Sequence, residues 1–400
     1  MNKKQHILNV ALLLFAMITP CLTFAQKKEL SQARSYIKSG KDFDKAERLM
    51  TDLLKKDMAS RDNKKVYLTW LEAVQKQYNV ANEKLYLKQK QDTAAFFDLT
   101  RRMFTIAETL DSIDIRPDKK GRVAPEYRQK HAAQLHVYRA NLYNGGSFFV
   151  RKANYKQAFE YYETYIDCAR QPLFESYRYD STDVRMPEAG YWTTYCGYKM
   201  NDPVLTLRHR KLALQDTAKA SFTLMYMAEA RKWMKDDELY LKTLEEGFRR
   251  YPTFYYFFPR LIDEYNRTGL QEKALAAADS ALAVDADNQL FLFAKSTLLL
   301  RLERWSDCIS CSERLIALCD TLAEPNFNAG TAFLNLAEKL DEKKEKKLRR
   351  QAFQQAQRYM ERYRVLAPKE KDKWAPVLYR IYLNLNLGKQ FDEIDLLLKN

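Results

Sequence analysis

Few residues in this chain are of a type and spacing that suggest chemistry. Cys308 and Cys311 form a C-x2-C pair, a spacing used by redox dithiols and zinc sites. Both fall in a stretch whose apolar spacing is helical, and an i,i+3 pair on one helix is badly placed to close a disulfide. The histidines beyond the first few residues are His131, His136 and His209. None lies near the pair in sequence, so a closed zinc site lacks ligands, and the two cysteines read as packing residues. His131 and His136 are five apart rather than at the four-residue spacing that helical metal ligands favour. The chain has no G-x-S-x-G, H-E-x-x-H, P-loop or G-x-G-x-x-G. Gly145–Gly146 sits within a helical pattern rather than a phosphate loop. Asp236–Asp237 and Glu245–Glu246 begin or flank helices, where carboxylates cap and carry surface charge. The residues predict no catalytic, cofactor or metal site, and the chain reads as not an enzyme.

The elements that carry these residues repeat. Counting from Ser221, Tyr255, Gln289 and Ala323, position 4 holds Leu224, Phe258, Leu292 and Asn326, and position 8 holds Ala228, Ile262, Ser296 and Gly330. In the second half of the complete units, position 20 holds Tyr240, Ala274 and Cys308, and position 27 holds Gly247, Ala281 and Leu315. Apolar and small residues three, four and seven apart mark helices with one buried stripe. Two such helices in 34 residues resemble the tetratricopeptide repeat (TPR). An earlier unit carries the resemblance too, with Leu142, Gly145, Gly146 and Phe149 in its first helix and Tyr155, Ala158 and Tyr162 in its second. Gly40 to Leu53 and Leu387 to Ile394 read as further turns with second helices. Arg231, Lys295 and Ile262 depart from the family pattern.

The fold class expected is all-α: a right-handed superhelical solenoid of about nine helix-turn-helix hairpins. Residues 26–115 carry N-terminal repeat-like helices, with one or two long helices over Asn82–Ile113. Residues 124–215 hold further hairpins, and residues 216–400 hold units near 221–254, 255–288, 289–322, 323–368 and 371–400. Arg116–Pro125 and Gln171–Pro187 read as loops, and Asp341–Ala367 as a long second helix with an inserted basic segment.

Residues 1–25 read as a signal peptide. Lys3 and Lys4 precede the apolar Ile7–Ile18, and Thr23–Phe24–Ala25 supplies a cleavage site before Gln26. The expected location is periplasmic. Lipidation at Cys21 is the alternative, against which Pro20 argues. No later stretch is apolar enough for a transmembrane span. Net charge is +15, with Lys and Arg interspersed among Asp and Glu as on a solvated helical surface. One dense run, Lys343, Lys344, Lys346, Lys347, Arg349 and Arg350, is either an exposed helix start or a site for an anionic partner. Nucleic acid is not expected. Asp-Ser/Thr sequences such as Asp92–Thr93–Ala94 and Asp279–Ser280–Ala281 are similar to the acceptor motif of a bacterial O-glycosylation system, or serve as helix caps.

A repeat of this family implies an inner, concave face made by first helices at positions 2, 5, 9, 12 and 13. Here these are Tyr256, Pro259, Asp263, Asn266 and Arg267, then Leu290, Phe293, Thr297, Leu300 and Arg301. The partner-binding residues expected are therefore Tyr256, Asp263, Asn266, Arg267, Phe293, Thr297 and Arg301. Aromatic and Arg residues are the types that anchor a bound segment. The resemblance implies a scaffold for a protein or peptide partner, which the signal peptide makes an exported one, with envelope association open. The alternative is a cell-surface or periplasmic helical-repeat protein binding glycans or small ligands, although Trp192, Trp233, Trp305 and Trp374 fall in separate units.

Overall fold

The period of the sequence is also the period of the helices. In a computed structural model, which describes residues 26–118 and 120–399, second helices start at Asp237, Gln271 and Trp305, each 34 residues after the last. The expected signal peptide and Cys21 lie outside the described residues. Setting aside the 3-10 turns and the one-turn helices Tyr179–Thr182 and Arg210–Ala213, helices among the described residues read in chain order as nine pairs, from residues 26–39 with Phe43–Lys56 to Lys371–Leu385 with Gly388–Lys399, and no strand occurs among them. The fold class is all-α.

The stripe read from the sequence is the stripe that is buried. Leu224, Phe258, Leu292 and Asn326 are buried at position 4, and Tyr240, Ala274 and Cys308 at position 20. Each large apolar side chain so removed from water contributes about 1.5–3 kcal/mol before entropy is counted. Gly145 and Gly146 show why small residues sit at the helix contact: a Cβ would lie 2.7 Å from the Tyr161 ring and 2.6 Å from that of Tyr162.

Turns within pairs also keep the register. Lys235, Gly269 and Glu303, again 34 apart, each take positive φ (57°, 73° and 57°). Only one of the three is the glycine that this left-handed conformation favours. Side chains cap several starts: Asn288 Oδ1 accepts the N–H groups of Leu290 and Phe291, and Asp92 those of Ala94 and Ala95.

The chain divides into two compact units, one ending at Met234 and one running from Lys235. In the first, Lys64–Tyr86 and Thr93–Asp114 are two long helices. Phe96, Met103, Phe104, Ile106 and Leu110 on the second are buried as their spacing predicts, whereas Leu85 is exposed. In the second unit, each helix from Asp237–Arg250 to Gly388–Lys399 packs on the next in sequence. A core of Leu334, Phe353, Met360, Trp374, Leu378 and Tyr382 closes its C-terminal half.

One expected loop is a folded element. Gln171–Pro187 contains a 3-10 helix, Pro172–Tyr177, and a one-turn α-helix, Tyr179–Thr182. Leu173, Phe174 and Tyr179 are buried. Arg139 holds the segment down, its guanidinium 3.7 Å from the Tyr165 ring and 3.8 Å from the Tyr179 ring. It donates to Asp183 Oδ2 at 2.5 Å and to the Tyr165 carbonyl at 2.9 Å.

Candidate partner-binding cleft

First helices of the second unit, Phe257–Arg267, Gln289–Arg301 and Glu324–Lys339, carry the residues expected to face a partner. Their placement splits the expected set. Tyr256 is 2% exposed, with the Arg260 guanidinium 3.9 Å from its ring, while Tyr255 is 67% exposed. The expectation that Tyr256 faces outward is corrected by the helix start. Pro252 and the turns after it delay the helix to Phe257, so the nominal first two positions are not helical and their facing is exchanged.

The remaining residues of that helix are more open. Asp263 is exposed. Arg267 is exposed but tied to Glu264 at 2.7 Å and Asp237 at 3.1 Å. Asn266 is half-buried, and its Oδ1 meets no donor.

The next repeat brings its residues together. Leu290 is 46% and Phe293 36% exposed, well above what a core position tolerates. They line a cleft of about 310 Å³ with Gln289, with Leu322 at the end of the same repeat and, from the following repeat, Glu324 and Pro325. Thr297 lies one turn further along, its hydroxyl accepting from Asn328 Nδ2 at 3.2 Å. The same amide donates to Ser296 Oγ at 2.9 Å, so a buried polar pair fixes the distance between the two first helices. Arg301 is exposed and pairs with no described acid.

Glu324, Pro325 and Leu322 were not among the expected residues. The signal was present, because Glu324 occupies position 2 of its own unit, as Leu290 does of the unit before. Nothing in the sequence shows that the loop residue Leu322 closes the cleft.

Position 20 explains the first cysteine of the pair. Cys308 is fully buried and its thiol pushed up to about 12 by burial. Cys311 donates to the Leu292 carbonyl at 3.3 Å and is also raised by burial. Cys319, on the loop before the cleft, differs. It is half-buried, 3.3 Å from Thr321 Oγ1, and contacts from that residue hold its thiol below the usual range. His136 stacks on Tyr177 and shares a hydrogen bond with the Tyr179 hydroxyl at 2.8 Å, away from His131, which stacks on Tyr127. Among the described residues no His/Cys/Asp/Glu group is arranged to hold a metal ion, and no helix is long and apolar enough to cross a membrane.

A 34-residue register of buried positions, of second-helix starts and of left-handed turns decides the architecture. The fold is tetratricopeptide-like. No family model and no curated protein matches the chain. Among solved structures it is similar to the C-terminal part of a TPR repeat-containing protein from Cytophaga hutchinsonii, at 12% identity and a TM-score of 0.42, over 63% of this chain and 92% of that one. It is also similar to the TPR2AB domain of yeast Sti1 in its pHSP90 complex, at 14% identity and a TM-score of 0.27, over 76% of this chain and 98% of that one. In TPR-like terms the cleft lies between the starts of consecutive first helices. It offers an apolar floor, an acid at one rim, and a cation about two turns along the helix.

Proposed function

We propose that this chain is an exported interaction scaffold that seats an extended segment of a protein partner along its first helices, with Leu290 and Phe293 receiving an apolar side chain. The observation that carries this reading is the cleft itself: two exposed large apolar residues on one repeat, completed by Leu322 at the end of that repeat and Pro325 of the next. Glu324 at the rim and the unpaired Arg301 would orient the segment by charge, a role that sets specificity more than affinity. Export rests on Lys3, Lys4, the apolar Ile7–Ile18 and the small residues before Gln26. A periplasmic protein begins at Gln26, and an envelope-anchored one at an acylated Cys21. Mass spectrometry of the mature N-terminus separates the two.

The cleft is tested by replacing Leu290 and Phe293 with serine in the native host and comparing partners that co-purify from the envelope fraction. Loss of an anchor of this kind costs roughly 2 kcal/mol or more, about thirtyfold in affinity. A partner retained at wild-type yield would place recognition elsewhere.

A second reading, glycan or small-ligand binding, is favoured by one feature of the first unit. Trp192 and Trp233 are joined through Tyr195, Tyr226 and Tyr198, with successive ring centroids 5.6, 5.8, 4.6 and 5.6 Å apart. Trp233 is 37% exposed, so a sugar ring stacking there would quench its fluorescence. Oligosaccharides that change the emission of wild type no more than that of Trp233→Phe remove this reading.

A further inference from the structure

The dense basic run adjoins a second groove, at the far end of the Glu324–Lys339 helix from the cleft. That helix has 16 residues, so the two ends lie roughly 24 Å apart. Phe333 and Leu336 of that helix and Leu340, the residue after it, line a recess of about 610 Å³ together with Leu348, Gln351, Ala352 and Gln355 of the Lys346–Leu366 helix. Phe333 stacks on Tyr359, with centroids 5.7 Å apart and planes 7° from parallel. Leu348 is 57% exposed.

Charge around this recess is unbalanced for a local reason. The acids among the lysines are engaged by the backbone: Asp341 Oδ1 accepts the N–H groups of Lys343 and Lys344 at 2.9 and 2.7 Å, and Glu345 Oε2 accepts that of Asp341 at 2.9 Å. Arg349 alone of the run is tied, to Glu342 at 3.6 Å and Asn384 at 3.1 Å. Lys343, Lys344, Lys346, Lys347 and Arg350 are exposed and pair with no described acid. Their field adds to the positive end of the helix that starts at Lys346.

We infer that this groove is a second docking surface, and that its occupant is an acidic segment of a partner protein carrying a large apolar side chain. Charge complementarity fixes the sign of the segment. The recess beside exposed Leu348 fixes the need for an apolar anchor. A lipid surface fits less well. The groove is concave, and its wall presents Gln351, Gln354 and Gln355, whose amides match a peptide backbone and would be left unpaired against hydrocarbon. The surface stands independently of the Leu290–Phe293 cleft.

The test uses the full chain and a short fluorescein-labelled peptide of Glu and Asp around a central Leu-x-x-Phe. Its controls are the same peptide with both apolar residues changed to Ser, oligoglutamate, and phosphatidylglycerol vesicles. Anisotropy at low salt should show saturable binding of the parent peptide, about tenfold weaker for the Ser peptide and for Leu348→Ser. Lys343→Glu, Lys344→Glu, Lys346→Glu and Lys347→Glu together should abolish it, with the melting temperature unchanged because all four side chains are exposed. Affinity should fall as salt is raised. Leu290→Ser with Phe293→Ser should leave this binding intact, which separates its failure from that of the cleft. Three results overturn the inference: the Ser peptide or oligoglutamate binding as tightly as the parent, vesicles binding where the peptide does not, or no binding of either.

Discussion

Burial leaves one oxygen of Glu108 without a hydrogen-bond partner. That burial, together with the nearby Asp167 carboxylate, raises its pKa from the ordinary 4.5 to about 8. Between those values the native chain holds a proton that the unfolded chain has released. Stability therefore falls as pH rises through this window, and the penalty is complete above about 8. Glu108→Gln removes the ionisable group while keeping the shape. The variant should match wild type near pH 4.5 and melt higher at pH 8 to 9, by roughly 2–4 °C for each kcal/mol regained. Melting curves that stay parallel across this range would show that Glu108 does not titrate there. Asp167, also raised by burial, and His209, lowered by it, remain in both proteins, so the difference reports Glu108 together with its repulsion of Asp167. None of this was legible in the sequence, where Glu108 is one more charge on an amphipathic helix. Gly145 and Gly146 were legible, because the helical period alone puts them against a neighbouring helix. Tyr256 was misplaced for the opposite reason: its facing depends on where a turn ends, which the period does not record.

Turns between paired helices set a cost at each repeat. Glu303 holds φ at 57° with an exposed side chain, where a residue with a Cβ is disfavoured by about 1–2 kcal/mol. Part of that returns on replacement by glycine, whose unfolded chain is freer. Glu303→Gly should therefore raise stability by about 0.5–1 kcal/mol, and Gly269→Ala at the equivalent turn should lower it by about 1 kcal/mol, both read from urea melts. Similar values for the two would mean that the turn relaxes. In sequence the Gln171–Pro187 segment reads as a loop, because its 3-10 turns carry neither a 3.6 nor a 2 period. Its order comes from outside, through Arg139. Lysine there keeps the charge but loses both the two-ring sandwich and the forked donation. Arg139→Lys should cost about 2–4 kcal/mol and expose residues 171–185 to protease before the rest of the first unit. Cleavage no faster than in wild type would show the segment to be held by its apolar residues alone.

Across the whole molecule, repeat number and helix type were the most readable properties, since each depends on many positions agreeing. Division into two units was not readable. The turn at Met234–Asp236 has the same left-handed residue as turns inside a unit, and no Pro, Gly or Ser-rich linker marks it. Because helices in the second unit pack on their chain neighbours and close on their own core, residues 235–400 expressed alone should give a helical spectrum and a cooperative melt. A random-coil spectrum would show that this core does not suffice.

The cysteines offer one practical consequence. Four of the five described thiols are buried, and Cys319 alone combines access with a lowered pKa. Among the described thiols, a maleimide dye should thus attach at one point, three residues ahead of Leu322 on the cleft rim, without any engineered mutation. The native chain carries its own optical reporter, and a change in that dye's emission on adding a partner would time the arrival of cargo directly.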